Sequence, residues 1–191
     1  MITPRALLAA AIVAASFSDS GSVLAASTPS TVCEQEMLRA SEQHHVPLGV
    51  LYAVGLTETG RKGSLQPYAL NVEGKAVYSA SAAEAIRKFQ VARAGGAKLI
   101  DLGCMQINHY YHGREFRSVN DMLTPHRNVE YAARFLKELR QREGSWTLAV
   151  ARYHAGPNNN PAQKRYVCQV IANMVATGFG AWTANSRKFC K

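Results

Sequence analysis

One glutamate occupies a position that suggests acid catalysis. Leu51, Val54 and Glu58 are spaced three and four residues apart in an apolar segment that Pro47 opens, so in a helix they share one face. Glu58 also precedes Gly60 by two residues, near the negative end of the expected helix. Partial burial and the helix dipole both raise the pKa of a carboxyl group. The pattern predicts a general acid, and the alternative is a surface glutamate near a frayed helix end.

The surroundings of Glu58 in the sequence support the first interpretation. Four short motifs follow one another: Glu58-Thr59-Gly60, Gly103-Cys104-Met105-Gln106-Ile107-Asn108, Tyr153-His154-Ala155-Gly156, and Tyr166-Val167 with Val170. They resemble the Glu-Ser-Gly, Gly-Leu-Met-Gln-Ile, Tyr-Asn-Ala-Gly and Tyr-Val-x-x-Val motifs of lytic transglycosylases of the soluble-transglycosylase (SLT) type. The resemblance covers about residues 33–174 and is similar in arrangement to small members that accompany secretion systems and flagella.

The resemblance implies a chemistry with one carboxyl group. Glu58 would protonate the glycosidic oxygen between N-acetylmuramic acid and N-acetylglucosamine in peptidoglycan, and then act as a base. The C6 hydroxyl of the substrate would attack and close a 1,6-anhydro ring, in contrast with ordinary glycosidases, which use two carboxylates. No cofactor is implied. The expected partner is the peptidoglycan glycan strand, with secretion-system or flagellar components as further candidates.

The same resemblance implies a set of residues at the sugar groove. Met105 and Gln106 would line it beside Thr59, which keeps the hydroxyl of the family's serine; the alternative is a core methionine with a turn glutamine. Tyr153 would hydrogen-bond the acid, or else belong to the core. His154 replaces an asparagine and would form the groove wall or make a structural hydrogen bond. Tyr166 would contact Glu58 or sugar, with a packing role as the alternative.

Asp101 is the candidate for a second carboxylate, because it lies two residues before Gly103 and beside the presumed groove. The alternative is a surface loop residue or a turn cap. If Asp101 faces the groove, a hydrolytic muramidase becomes a competing function. A third candidate function is a non-catalytic wall-binding assembly factor, although binding alone does not require an intact Glu58.

The elements expected around these residues are mostly helical. Apolar spacing and capping residues predict helices over residues 33–44 and 47–60, from Ser81 to Gly95, from Pro125 to Gly144, from Ser145 to about Tyr153, and around 166–175. Residues 68–78 and 98–102 are expected to be extended. The fold class predicted is mainly α (α+β, lysozyme-like), a single compact helical domain with a minor extended segment.

The N-terminal segment predicts export. A short start containing Arg5 precedes the apolar run 6–15, and Val23-Leu24-Ala25 has the pattern of a signal-peptidase site. We expect a signal peptide at 1–25, a flexible leader at 26–32 and the catalytic domain at 33–191, in a monomer located in the periplasm. The alternatives for the N-terminal segment are a membrane anchor or a disordered tail. The net charge of +9 suits an anionic wall polymer, and export argues against nucleic acid. We expect no stable membrane insertion.

The cysteines of the exported part predict disulfides rather than a metal site. Cys33, Cys104, Cys168 and Cys190 allow two bridges in three possible connectivities. We favour Cys33–Cys190, clamping the termini, and Cys104–Cys168, bracing the site. Zinc is disfavoured because no Cys-x-x-Cys or His-Glu-x-x-His motif is present.

Overall fold

The computed structural model describes residues 32–60, 64–155 and 160–191. The predicted signal peptide and all of the predicted leader except Val32 lie outside the described residues. In the described part, helices dominate and a small sheet accompanies them, so the mainly α fold class is confirmed.

The helices begin and end close to where local sequence signals place them. Their bounds are α1 Val32–His44, α2 Leu48–Thr59, α3 Ala82–Ala94, α4 His109–His112, α5 Val119–Leu123, α6 Pro125–Glu143, α7 Trp146–Ala155, α8 Asn160–Ala176 and α9 Ala184–Phe189. A 3-10 turn over Gly113–Glu115 follows α4. The short helices α4, α5 and α9 were not predicted, because a helix of one or two turns shows too few repeats of an apolar pattern.

Capping residues explain the longer helices. Pro125 occupies the first turn of α6, and Gly144 ends that helix with a φ of 79°, a left-handed conformation that glycine adopts readily. At the start of α3, the Ser81 hydroxyl accepts a hydrogen bond from the Glu84 amide. The Glu84 carboxylate accepts from the Ala80 amide rather than from Ser81, so only one half of the expected capping box forms.

The predicted extended segments form an antiparallel sheet. Its strands are β1 Leu70–Val72, β2 Lys75–Val77, β3 Ile100–Leu102 and β4 Ile107–Asn108, in the order β2-β1-β3-β4. Leu70 pairs with Leu102, and Leu102 pairs in turn with Ile107, which places three buried side chains across neighbouring strands. The sheet is therefore anchored to the helical core at the end that carries the β3–β4 turn.

The helices enclose one hydrophobic core. Helix α1 packs on α6, α2 on α8, and α7 lies between α6 and α8. Helix α2 is the most deeply buried of these, with Leu51, Ala53 and Val54 fully inaccessible to solvent. Burying this helix fixes the position of its last turn, which carries Glu58. No helix in the described ranges is both long and apolar enough to cross a membrane.

All four cysteines are paired, which confirms the expectation of two disulfides. The favoured pairing was wrong: the bridges are Cys33–Cys104 and Cys168–Cys190, with Cα–Cα distances of 5.7 and 5.6 Å. Packing explains the difference. Cys33, in the first turn of α1, is buried beside the β3–β4 turn that holds Cys104, while α9 folds back so that Cys190 meets Cys168 of α8. Such contacts between distant segments cannot be deduced from cysteine spacing.

Candidate active site

A cleft of about 1020 Å³ lies between the helices and the sheet. From the helical side it is lined by Glu58, Tyr153 and His154, and from the sheet side by Asn71, Asp101 and Asn108. We call these two sides the helical wall and the sheet wall. A cleft of this size, with a few polar groups converging on it, is typical of a binding site for a sizeable ligand.

Glu58 is the acidic residue of the helical wall. It belongs to the last turn of α2, and its side chain is 16% exposed. The Tyr166 hydroxyl donates a hydrogen bond of 2.6 Å to Glu58 Oε1, and His154 Nδ1 lies 3.9 Å from the same oxygen. The structure therefore places this carboxyl group on a buried face, as the sequence predicted.

The surroundings of Glu58 favour its neutral form. Burial raises the pKa of Glu58 to about 8, against the lowering effect of the Tyr166 hydrogen bond, and the negative charge of Asp101 adds to the increase. Burial and the neighbouring Glu58 also hold the pKa of Tyr166 well above its usual range, so Tyr166 stays a donor. At neutral pH the cleft contains a protonated carboxylic acid, as a general acid requires.

His154 is stacked against the tyrosine that holds Glu58. The rings of His154 and Tyr166 are parallel, with an interplanar angle of 5° and 4.1 Å between centroids. The imidazole is 43% exposed and lines the cleft. Burial, with the charge of Arg165 adding to it, lowers the pKa of His154, which favours the neutral imidazole.

Tyr153 does not donate to the acid as predicted. Its hydroxyl donates a 2.7 Å hydrogen bond to the backbone carbonyl of Met105, and a hydroxyl has one hydrogen to give. The expected contact with Glu58 is made by Tyr166 instead. Tyr153 still lines the cleft, and its hydrogen bond joins α7 to the β3–β4 turn.

The two residues predicted from the turn have different positions. The Met105 side chain is fully buried, as the core interpretation expected. Gln106 lines the cleft with a left-handed backbone (φ 46°), and its amide donates to the carbonyls of Gly103 and Ala69. The side-chain amide of Gln106 therefore ties the turn to the residue before β1, and the same side chain forms part of the cleft surface.

Thr59 lies inside the protein and not on the cleft surface. It is 3% exposed, and its hydroxyl is within hydrogen-bond distance of the carbonyls of Gly55 (3.1 Å) and Cys104 (3.2 Å). Its position corrects the expectation of a sugar contact, because a buried hydroxyl is satisfied by the backbone around it. The hydroxyl ties the last turn of α2 to the β3–β4 turn.

Asp101 lies on β3 and faces the cleft. Its Oδ1 accepts a 2.6 Å hydrogen bond from the side-chain amide of Asn108, its cross-strand neighbour. Burial raises the pKa of Asp101, against the lowering effect of this hydrogen bond. Asp101 is therefore neither a surface loop residue nor a turn cap, and it shares the cleft with Glu58.

The family model described as Transglycosylase SLT domain matches residues 36–173. The chain belongs to this family. Membership implies lytic transglycosylase activity on peptidoglycan, and with it peptidoglycan binding. No curated protein and no solved structure matches the chain.

Sequence reasoning missed one residue that organises this SLT domain. Asn128 of α6 is fully buried; its side chain accepts from the Met105 amide (2.8 Å) and donates to the carbonyls of Leu102 and Met122. A Cβ at Gly103 (φ 80°) would lie 2.6 Å from Asn128 Nδ2, so the turn needs glycine there. The available signal was a polar side chain within the apolar stripe of α6.

Other cleft residues of the SLT domain had no sequence signal. Asn71, Tyr111 and His112 line the cleft from β1 and α4, which are elements too short to reveal which side chains share a surface. Within the described ranges, no group of three His, Cys, Asp or Glu side chains is arranged to hold a metal ion.

Proposed function

We propose that this protein cleaves the β-1,4 bond between N-acetylmuramic acid and N-acetylglucosamine, leaves 1,6-anhydro ends, and uses Glu58 as its single general acid and base. The observation that carries the proposal is the environment of Glu58. A carboxyl group whose pKa is about 8 opens onto a cleft large enough for a polymer segment. A carboxyl group with a raised pKa is suited to proton transfer, whereas sugar binding does not require one.

The first step is transfer of the Glu58 proton. Because Oε1 accepts from Tyr166, Oε2 is left to carry the proton toward the glycosidic oxygen. As the oxygen takes this proton, its bond to C1 of the muramic sugar breaks and the N-acetylglucosamine leaves as an alcohol. Positive charge then develops at C1, beside a carboxylate that has just become ionised.

The second step returns the proton. The C6 hydroxyl of the same muramic sugar attacks C1, forms the anhydro bond and gives its proton to Glu58. Tyr166 stabilises the carboxylate between the two steps through its 2.6 Å hydrogen bond. His154, with Nδ1 3.9 Å from the same carboxyl oxygen, is a second polar group beside the charge that forms on Glu58.

Hydrolysis is the second candidate function, and Asp101 is the observation that favours it. Asp101 lines the same cleft, and its charge raises the pKa of Glu58. Two carboxyl groups facing one sugar are the arrangement of hydrolysing glycosidases. Against this, Asn108 already occupies one oxygen of Asp101. A wall-binding protein without activity remains the third candidate.

The proposed site of action is the periplasm. The predicted signal peptide supports export, and the two disulfides suit an oxidising compartment. There the enzyme would open the wall locally for a secretion or surface apparatus, in keeping with the small SLT proteins that the sequence resembles.

Product analysis tests the proposal. Purified wall sacculi are digested with the wild-type protein, Glu58→Gln and the control Glu42→Gln, which changes an exposed glutamate of α1, and soluble fragments are identified by mass spectrometry. We expect anhydro ends from the wild type and the control, and no release by Glu58→Gln. Products dominated by reducing ends would favour the muramidase, and binding without any release would favour the wall-binding protein.

A further inference from the structure

A second hollow lies on the other side of α4 from the cleft. Its volume is about 340 Å³, and it is lined by Arg93, His109, Tyr110, Gly113 and Arg114. Two guanidinium groups and an imidazole therefore meet in one depression, and none of the lining residues is acidic. We call this depression the basic hollow. Its size is at the lower end of the range for small-ligand sites.

Helix α4 separates the cleft from the basic hollow. Successive residues face opposite sides: Asn108, Tyr111 and His112 line the cleft, whereas His109 and Tyr110 line the hollow. The Tyr110 and Tyr111 rings are 63% and 68% exposed and meet edge to face at 5.1 Å. A ligand group that leaves the cleft over this helix therefore passes two exposed aromatic rings before it reaches the guanidinium groups.

The two arginines of the hollow are exposed, and neither has an acidic partner in the described part of the chain. The Arg93 guanidinium donates a 2.6 Å hydrogen bond to the Ala97 carbonyl, which fixes its direction and keeps its charge uncompensated. Within the described ranges, Arg114 has no hydrogen-bond or ion-pair partner. Burial, and after it the charge of Arg93, lowers the pKa of His109, and no acidic group opposes these effects. The basic hollow therefore presents positive charge with no acidic side chain among its lining residues.

We propose that the basic hollow binds a carboxylate of the stem peptide attached to a sugar in the cleft, so that the enzyme recognises peptide as well as glycan. The inference rests on the proposed function for its substrate. Guanidinium groups suit carboxylates because they donate parallel hydrogen bonds in a planar fork. The reach is sufficient: a helix is about 10–12 Å across, and an extended peptide covers about 3.3–3.6 Å per residue. A stem of three or four residues crosses α4.

A binding experiment tests the site without requiring cleavage. A synthetic stem tetrapeptide with free carboxylates is titrated against the protein and followed by calorimetry and by the His109 imidazole signals in NMR spectra. The same peptide with its carboxyl groups amidated is the ligand control. Because hydrogen bonds between charged groups are stronger than those between neutral groups, we expect Arg93→Gln/Arg114→Gln to bind the free peptide at least about tenfold more weakly. The control Arg87→Gln removes one exposed charge from the same helix, α3, and should bind like the wild type.

A cleavage experiment connects the hollow to the enzyme. Glycan strands with intact stems and strands stripped of peptide by an amidase are digested by the wild type and the double variant. We expect the wild type to have the lower KM for the intact strands, and the double variant to lose that preference while its kcat on stripped strands is unchanged.

Several outcomes would overturn the inference. Equal binding of the free and amidated peptides by the wild type is one, and undiminished binding by a folded double variant is another. Equal KM values of the wild type for the two kinds of strand would do the same. A protein that binds the free peptide through Arg93 and Arg114 but cleaves no glycan would refute the proposed function and leave the carboxylate site standing.

Discussion

The two walls of the cleft each contribute one carboxyl group, and the two groups have different surroundings. On the helical wall, Glu58 receives a single hydrogen bond, from Tyr166, and burial raises its pKa to about 8. On the sheet wall, Asp101 is held by the amide of Asn108 across an antiparallel strand pair. Burial raises the pKa of Asp101 as well, against the lowering effect of the hydrogen bond from Asn108.

In the proposed mechanism the two carboxyl groups have different roles: Glu58 gives up a proton, and Asp101 changes the pKa of Glu58. Glu58 lines the cleft and is desolvated by burial, and its one hydrogen bond in the described part of the chain is at Oε1. Asp101 acts on it through its charge, which favours the protonated form of Glu58. In the proposed mechanism, proton transfer therefore belongs to the helical wall, and the sheet wall contributes a charge that raises the pKa of the acid.

Removing the helical carboxyl group should have the largest effect. Glu58→Gln leaves an amide that cannot donate the proton, and loss of general acid catalysis typically lowers a rate by about 10²–10⁴-fold. Release of soluble fragments from sacculi measures the loss, with Glu42→Gln as the control. Activity close to that of the wild type would remove Glu58 from the chemistry.

The same variant should be more stable than the wild type at high pH. Between the ordinary pKa of 4.5 and the folded value of about 8, the folded state holds one more proton than the unfolded state. The wild-type free energy of unfolding therefore falls as pH rises through this window, and that of Glu58→Gln does not. Thermal midpoints should coincide below pH 4.5 and separate toward pH 8, and parallel curves would contradict the raised pKa.

The disulfide that ties the β3–β4 turn to helix α1 is the next target. Cys104 lies in the β3–β4 turn, and its bridge to Cys33 closes a longer loop than Cys168–Cys190, with sequence separations of 71 and 22 residues. Loop-closure entropy gives about 4 kcal/mol for the first bridge and about 3 kcal/mol for the second. Cys33→Ala/Cys104→Ala should therefore lower the free energy of unfolding more than Cys168→Ala/Cys190→Ala, as denaturant titration can measure. The reverse order would show that the turn is held by its other contacts, such as those of Asn128.

Two tyrosines of the helices, Tyr153 in α7 and Tyr166 in α8, provide a matched pair. Tyr166→Phe removes the donor to Glu58, and because hydrogen bonds to charged groups contribute about 1.5–3 kcal/mol, the pKa of Glu58 should rise by about one unit or more. The high-pH limb of the activity profile should move upward, with a rate loss of about tenfold or more. Tyr153→Phe, which loses a bond to the Met105 carbonyl, should lower stability without moving the limb. Identical pH profiles for Tyr166→Phe and the wild type would separate Tyr166 from the acid.

Removing the sheet carboxyl group should have the smallest effect. Asp101→Asn keeps the shape of the side chain and removes a charge that raises the pKa of Glu58. We expect the same anhydro product, a rate within about tenfold of the wild type, and a small downward shift of the high-pH limb. A severe loss of activity at unchanged thermal stability would make Asp101 a second catalytic carboxylate and move the function toward hydrolysis.

The local sequence predicted the helices and the acid because both depend on neighbours along the chain. Pro47 and Gly60 flank α2 as expected, and the spacing of Leu51, Val54 and Glu58 placed the carboxyl group on the buried face. Short elements such as α4 escaped prediction, because one turn contains no periodicity to detect.

What the sequence by itself determined, then, was the fold class, the longer helices, the presence of two disulfides and the position of one buried acid. Only the tertiary structure decided the pairing of the cysteines, the choice of Tyr166 rather than Tyr153 as donor to Glu58, and the burial of Thr59. Each of these depends on which distant segments meet, as when α8 brings Tyr166 to a carboxyl group 108 residues away. Periodicity and capping act over one or two helical turns, whereas these contacts are fixed by the packing of whole helices against one another.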